Sequence, residues 1–199
     1  MEILLGTHNK GKVKEISGLL SGLPVTLKTL DDFPDVAPVE EDGETLEENA
    51  IKKAHFYSKA TGLFTLADDT GLEVAALKGA PGVYSARYAG EGCSYDDNNR
   101  KLIAELARIK AQDRTARFRC VIACADAEKG FLKVVDGFII GQILDSVKGA
   151  HGFGYDPIFF VPELKKTLAE IPLEEKNRIS HRAIALGKAR EILKEVAAA

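Results

Sequence analysis

The segments ARFRCVIACADA and FLKVVDGFIIGQIL, residues 116–127 and 131–144, constrain this chain's fold more than any other feature. Both are rich in β-branched and aromatic residues, and they flank Glu128-Lys129-Gly130, which predicts a β-hairpin. The N-terminal half reads differently. Met1–Leu5 is a short apolar run that stops at Gly6, and Val13, Ile16 and Leu20 then recur at helical spacing, giving strand, tight turn and helix. Alternating strands and helices followed by an antiparallel hairpin imply an α/β fold with a mixed, twisted central sheet, flanking helices and two lobes around a cleft.

The remaining punctuation is local. Leu27 ends a second short strand, and residues 30–44 form an aperiodic loop carrying two prolines, a glycine and a cluster of acids. Thr45 and Glu48 have capping-box spacing, Leu46, Ala50, Ala54 and Tyr57 make one face, and Gly62 supplies a stop, so a helix is expected over 45–61. The apolar run 64–77 is broken by Asp68-Asp69-Thr70-Gly71, which reads as strand end, turn and loop. Ser94 and Asp97 open a helix near 95–110 whose buried stripe is Leu102, Leu106 and Ile109. The glycine-rich KGAHGFGYDPIFF enters another short strand, and a last helix is expected over 180–197.

A chain of 199 residues suits a single domain, 1–199, and 45% hydrophobic content with 29% charged residues suits a packed core. The net charge of -3 supplies no global positive field to attract a nucleic-acid backbone or an anionic membrane, so neither partner is expected, and any anionic ligand must be held by local groups. Cys93, Cys120 and Cys124 contain no C-x-x-C pair, which argues against a disulfide framework or zinc site. MEILLG is too short for a signal peptide and no stretch approaches ~18 apolar residues, so a soluble, cytoplasmic protein is expected.

Four groups carry candidate chemistry. GTHNKGKV, residues 6–13, fits the phosphate-cradling G-x-x-x-x-G-K-[ST] except at Val13, which lacks the hydroxyl that would hold Mg²⁺. A turn opening a helix still offers free N–H groups and a dipole to a phosphate, with Thr7, Asn9, Lys10 and Lys12 adding donors; a plain helix cap is the bland alternative. If Mg²⁺ is used, carboxylates must hold it, from Asp68-Asp69 or from Glu40-Glu41-Asp42; an Asx-type turn and a solvated acidic surface are the bland alternatives. Gly152-Phe153-Gly154-Tyr155-Asp156-Pro157 offers an aromatic face and an acid to a flat ligand, or a turn with a core Phe. Lys176 and Ser180-His181-Arg182 precede the last helix, where Ser180 also suits an N-cap.

In combination these segments resemble the inosine/xanthosine triphosphate pyrophosphatase family. The resemblance runs nearly end to end, through T-x-N-x-x-K at Thr7–Lys12, E-N-A-x-x-K-A at Glu48–Ala54 and A-D-D-T-G-L at Ala67–Leu72. It continues through G-A-P-G-V-Y-S-A-R-Y at 79–88, G-F-G-Y-D-P-I-F at 152–159 and S-H-R at 180–182. It implies a nucleotide-binding cleft in which Thr7, His8, Asn9, Lys10, Gly11, Lys12, Lys53 and Thr70 serve the triphosphate. It also implies Glu40 and Asp69 as Mg²⁺ ligands and Asp69 as proton acceptor, with Asp68 the alternative base or a further ligand. Phe153, Gly154, Tyr155, Asp156, Lys176, His181 and Arg182 would meet the purine. The implied reaction is hydrolysis of ITP, dITP and XTP to the monophosphate and pyrophosphate, by a homodimer. Departures are Ala183 where the family commonly has glycine, Lys148-Gly149 where Pro-Arg-Gly is frequent, and His8 where glycine is common. A pyrophosphatase preferring pyrimidine or modified nucleotides and a nucleotide-binding module without turnover are the rival readings.

Overall fold

The computed structural model describes residues 1–198. In chain order the elements are β1 (Glu2–Leu5), α1 (Lys10–Leu20), β2 (Thr26–Thr29), α2 (Leu46–Thr61), β3 (Phe64–Val74), β4 (Pro81–Gly82) and α3 (Tyr95–Arg108). Then follow β5 (Thr115–Asp126), β6 (Phe131–Ile143), β7 (Phe159–Val161), β8 (Lys166–Thr167), α4 (Leu173–Ile179) and α5 (His181–Ala198). Among the described residues the strands form a mixed sheet in the order β2-β1-β3-β5-β6-β7-β8, with β4 on β3. β1 runs parallel to β2 and β3, while the β3–β4, β6–β7 and β7–β8 pairs are antiparallel. β5 and β6 are neighbours joined by residues 127–130 alone, too short for a parallel crossover, so the expected hairpin is present. No helix among the described residues is long and apolar enough to cross a membrane.

The chain divides into two compact units. The first comprises Met1–Asp69, Cys120–Gly137 and the segment from His181, and the second comprises Thr70–Arg119 and Phe138–Ser180. In the first unit the period of two along a strand assigns side chains to opposite faces. Ile3 and Leu5 of β1, Phe64 and Leu66 of β3 and Cys120, Ile122 and Cys124 of β5 pack with Ile16 and Leu20 of α1 and Leu186, Ala189 and Leu193 of α5. Leu4 points the other way, to Tyr57 of α2 and Leu30. In the second unit Leu72 and Val74 of β3, Leu102 and Leu106 of α3, Phe118, Ile143 and Phe159 build a separate core.

Helix ends follow the local chemistry. Thr45 Oγ1 accepts from Glu48 N at 3.1 Å, although the Glu48 carboxylate turns to Glu44 N at 2.7 Å instead of completing the box. Gly62 closes α2 in the left-handed region, at φ 69°. Ser94 and Asp97 form a complete capping box on α3.

Three expectations are corrected. β3 does not stop at Asp68; it runs unbroken through Asp68-Asp69-Thr70-Gly71 to Val74. β3 lies between β1 and β5 in the sheet, so a neighbouring strand is available to its backbone where an Asx turn would otherwise compete. β2 continues past Leu27 to Thr29, because β1 pairs with it through Leu5↔Thr29. Ile109 lies at the C-cap of α3 and is exposed, not part of its buried stripe. The short α4, entered from Pro172, was not anticipated.

Candidate active site

Asp68 and Asp69 are adjacent on β3, so the pleat sends their carboxylates to opposite faces of the sheet. Asp68 shares the side of Phe64 and Leu66, where α1 and α5 pack. There Lys12 Nζ lies 3.0 Å and Arg182 Nη2 3.4 Å from its Oδ2. Arg182 also pairs with Glu15, and Asp68, Arg182 and Glu15 are all buried. Burial alone would raise the Asp68 pKa, but Lys12 and Arg182 outweigh it and hold the carboxyl well below the usual carboxylate range. Burial likewise works against the Lys12 ammonium, yet Asp68 and then Asp69 prevail and its pKa rises, so it stays charged.

Asp69 meets α2 on the other side. Asn49 and Lys53 are one helical turn apart and share the buried face of that helix. Asn49 Nδ2 donates to Asp69 Oδ2 at 3.1 Å, and Lys53 Nζ lies 3.9 Å from Asp69 Oδ1. Lys53 Nζ also donates to the Asp68 main-chain oxygen at 2.6 Å and to Glu41 Oε1 at 3.0 Å. Desolvation dominates here and raises the Asp69 pKa against the pull of Lys53 and Lys12. Two neighbouring acids are thus driven apart in basicity by the faces they occupy.

The turn before α1 completes this region. Asn9 is the N-cap, its Oδ1 accepting from Lys12 N at 3.2 Å, and Thr7 Oγ1 accepts from Asn9 N at 3.2 Å. Lys10 is exposed at the first helical position, with Gly11 and Lys12 following it into α1. His8 is exposed and stands edge-on to Tyr57, with ring centroids 6.4 Å apart. Thr7, His8, Lys10, Val13 and Lys14 line a cavity of about 340 Å³ with Thr29, Leu30 and Asp31. Its cationic rim and the free N–H groups of the helix start suit an anion. Glu40 is exposed on the loop and makes no ion pair among the described residues; Glu41 is the loop acid that reaches Lys53.

The second unit holds the aromatic group. Phe153 is flanked by Gly152 at φ 73° and Gly154 at φ 65°, conformations that favour glycine, and a Cβ on Gly152 would run into the Asp156 carboxylate. Asp156 Oδ2 accepts from Phe153 N at 2.8 Å and from Lys176 Nζ at 2.5 Å. Lys176 Nζ lies 5.1 Å from the Phe153 ring centroid, and the Tyr95 ring of α3 is 6.0 Å away at 39°. Tyr155 is buried and donates to Ser85 O at 2.9 Å, and Asn99 Nδ2 donates to Gly154 O at 3.0 Å. Thr70 follows Asp69 on β3 and is half-buried.

The sequence candidates therefore fall into two groups. Thr7–Lys12, Lys53 and Asp69 belong to the first unit together with His181 and Arg182, whereas Phe153–Asp156 and Lys176 belong to the second. Arg182, expected with the purine group, is engaged by Glu15 and Asp68. His181 is buried at the first position of α5. Sequence reasoning missed Glu15, Asn49 and Asn99, and offered Glu41 only as one of three neighbouring loop acids. A signal existed for Asn49, a polar residue on the helix face that also carries Leu46, Ala50 and Lys53. Glu15 gave none, since it adjoins the apolar stripe of α1 without interrupting it.

Among the described residues no three His, Cys, Asp or Glu side chains gather into a metal cage. Mg²⁺ does not require one, because it commonly takes one or two carboxylates and completes its shell with water and substrate phosphates. The donor chemistry fits such an ion: the hard oxygens of Asp69 and Glu41 already converge on the Lys53 cation.

The model of the Ham1 family matches residues 3–192. The chain is 55% identical to the dITP/XTP pyrophosphatase of Geobacter sulfurreducens, over 92% of each protein. It is 53% identical to that of Desulforamulus reducens, over 97% of this chain and 96% of the relative. Among solved structures it resembles a HAM1 protein from Coxiella burnetii, with a TM-score of 0.90, 42% identity and coverage of 98% and 99%. It also resembles the Staphylococcus aureus Ham1 protein, with a TM-score of 0.86, 40% identity and the same coverage.

Proposed function

Because the chain belongs to the Ham1 family, we propose that it is a single-domain pyrophosphatase that hydrolyses the non-standard purine nucleotides ITP, dITP and XTP to the monophosphate and pyrophosphate. The observation that carries this reading is the division of labour between the two strand acids. Asp68 is committed to Lys12 and Arg182, which leaves Asp69, whose pKa is raised by burial, as the more basic acid of the pair and the one suited to take a proton.

Thr7, His8, Asn9, Lys10, Gly11 and Lys12 hold the triphosphate through N–H groups and ammonium charges, with Lys53 and Thr70 adding donors. Water attacks at the α–β linkage, the anhydride bond breaks, pyrophosphate leaves, and Asp69 accepts the proton of the water. Asp69 would hold Mg²⁺ with an acid of the loop, Glu40 or the Glu41 that lies with Asp69 at Lys53, and the ion when bound would screen phosphate charge and acidify water. Phe153 stacks on the purine, with Gly154 and Tyr155 shaping the turn and Asp156, Lys176, His181 and Arg182 around the base. A donor facing position 6 pairs with the oxo group of hypoxanthine or xanthine and is left unsatisfied by the amino group of adenine, a mismatch worth up to about 10⁴-fold. The enzyme is proposed to work as a cytoplasmic homodimer.

The test is pyrophosphate release from ITP, XTP, dITP, ATP and GTP, each with Mg²⁺ and with EDTA. Metal-dependent turnover of the first three is expected, with ATP at least about 100-fold lower in kcat/KM through the position-6 mismatch and GTP, which shares the 6-oxo group, equally low on the family resemblance alone. Equal turnover of all five would overturn the base assignment, and no turnover would overturn the enzymatic reading.

A further inference from the structure

We propose that Asn49 is a positioning residue that ties the acidic loop to the catalytic carboxylate, an inference that rests on the reading of Asp69 as the base. Asn49 is 1% exposed on α2 and is used at both ends. Its Nδ2 donates to Asp69 Oδ2 at 3.1 Å, and its Oδ1 accepts from the main-chain N–H of Gly43 at 2.8 Å. The orientation of the amide follows from its partners: a carboxylate only accepts and a peptide N–H only donates, so the NH₂ must face Asp69 and the oxygen must face Gly43. Asparagine is the side chain of this length that does both. Aspartate has no proton for Asp69 and would set a second anion against it; leucine would remove this donor from Asp69 and the acceptor of the half-buried Gly43 N–H.

The loop is built for this contact. A Cβ on Gly43 would lie 2.7 Å from Asn49 Oδ1 and 2.9 Å from the Glu48 Cβ, so only glycine lets the loop come this close to α2. One turn further along α2, Lys53 repeats the link by holding Glu41 of the loop at 3.0 Å while facing Asp69. Asn49 therefore fixes the carboxylate orientation of Asp69 and the position of the segment that carries Glu40 and Glu41 through a single amide. Its role is geometric: a misplacement of the order of 1 Å in such a group costs about 100-fold in turnover.

The experiment uses the full chain with Asn49→Ala, Asn49→Asp, Asp69→Asn and the double variant Asn49→Asp/Asp69→Asn. Steady-state kinetics with dITP, amide hydrogen exchange at Gly43 and thermal denaturation are measured on each. For Asn49→Ala the expected result is kcat lower by about 100-fold with KM changed by less than about three-fold, and exchange at Gly43 faster by about ten-fold or more. Asn49→Asp should lose at least as much turnover and show a lower Tm. The double variant restores a donor–acceptor pair between positions 49 and 69, so it should recover the Tm while remaining inactive. Wild-type kcat in the folded Asn49 variants, unchanged exchange at Gly43, or no recovery of Tm in the double variant would overturn the assignment. If the wild type hydrolyses no nucleotide, the functional reading fails by itself, and the exchange and Tm results still decide the role of Asn49.

Discussion

Asp68→Asn isolates the buried charge network in the first unit. The substitution keeps the side chain's shape but removes the one charge that faces both Lys12, at 3.0 Å, and Arg182, at 3.4 Å. Arg182 retains Glu15, so the guanidinium is not stranded, and Lys12 is 14% exposed at its side chain and can recover some hydration. The cost therefore falls at the low end of the range for breaking a buried pair, about 3 kcal/mol. For a domain of this size that corresponds to a fall in Tm of about 6–12 °C at neutral pH. Acid should reproduce the loss in the wild type. The folded pKa of Asp68 is depressed, so its contribution is fully present above the unfolded value of about 3.9 and is lost as pH falls through the folded value. Unfolding by denaturant, followed at about pH 7 and at stepped values below about pH 4, measures both effects. The variant should be less stable at neutral pH and show a shallower acid slope than the wild type. A Tm within about 2 °C of the wild type, or an identical acid slope, would refute the claim that Asp68 is held as a stabilising anion.

Asp69→Asn should reduce turnover of dITP to background while leaving the far-UV circular dichroism and the cooperative unfolding transition in place; near-normal turnover would remove Asp69 as an essential group. Phe153→Ala should raise KM for dITP by about 10-fold or more through lost stacking, with kcat less affected, and an unchanged KM would take Phe153 out of the base site. EDTA should abolish pyrophosphate release and added Mg²⁺ should restore it, which a metal-independent rate would contradict.

Much of the secondary structure was legible because its determinants lie within a few residues of one another. Thr45, Gly62 and the Ser94–Asp97 box mark helix ends through contacts three or four residues long, and the short 127–130 link leaves β5 and β6 only one way to pair. The strand through Asp68-Asp69-Thr70-Gly71 was not legible, since local chemistry there favours a turn and the strands beside β3, β1 and β5, are remote in sequence. Ile109 failed for a related reason: helical spacing predicted its face, but the helix ended before its position mattered.

The sequence by itself determined the class of fold, most helix boundaries and the pool of acids, lysines and aromatics from which a nucleotide site is built. Its spacing gave no difference in environment between Asp68 and Asp69, and only the family resemblance favoured Asp69 over Asp68. Only the tertiary structure separated their environments, by placing α1 and α5 on one side of β3 and α2 on the other. The partners that do so are 114 residues away for Arg182 and Asp68, and 20 for Asn49 and Asp69. Periodicity and capping report what a residue does with its near neighbours, whereas the protonation of a buried acid is set by whichever charges the folded chain brings to it.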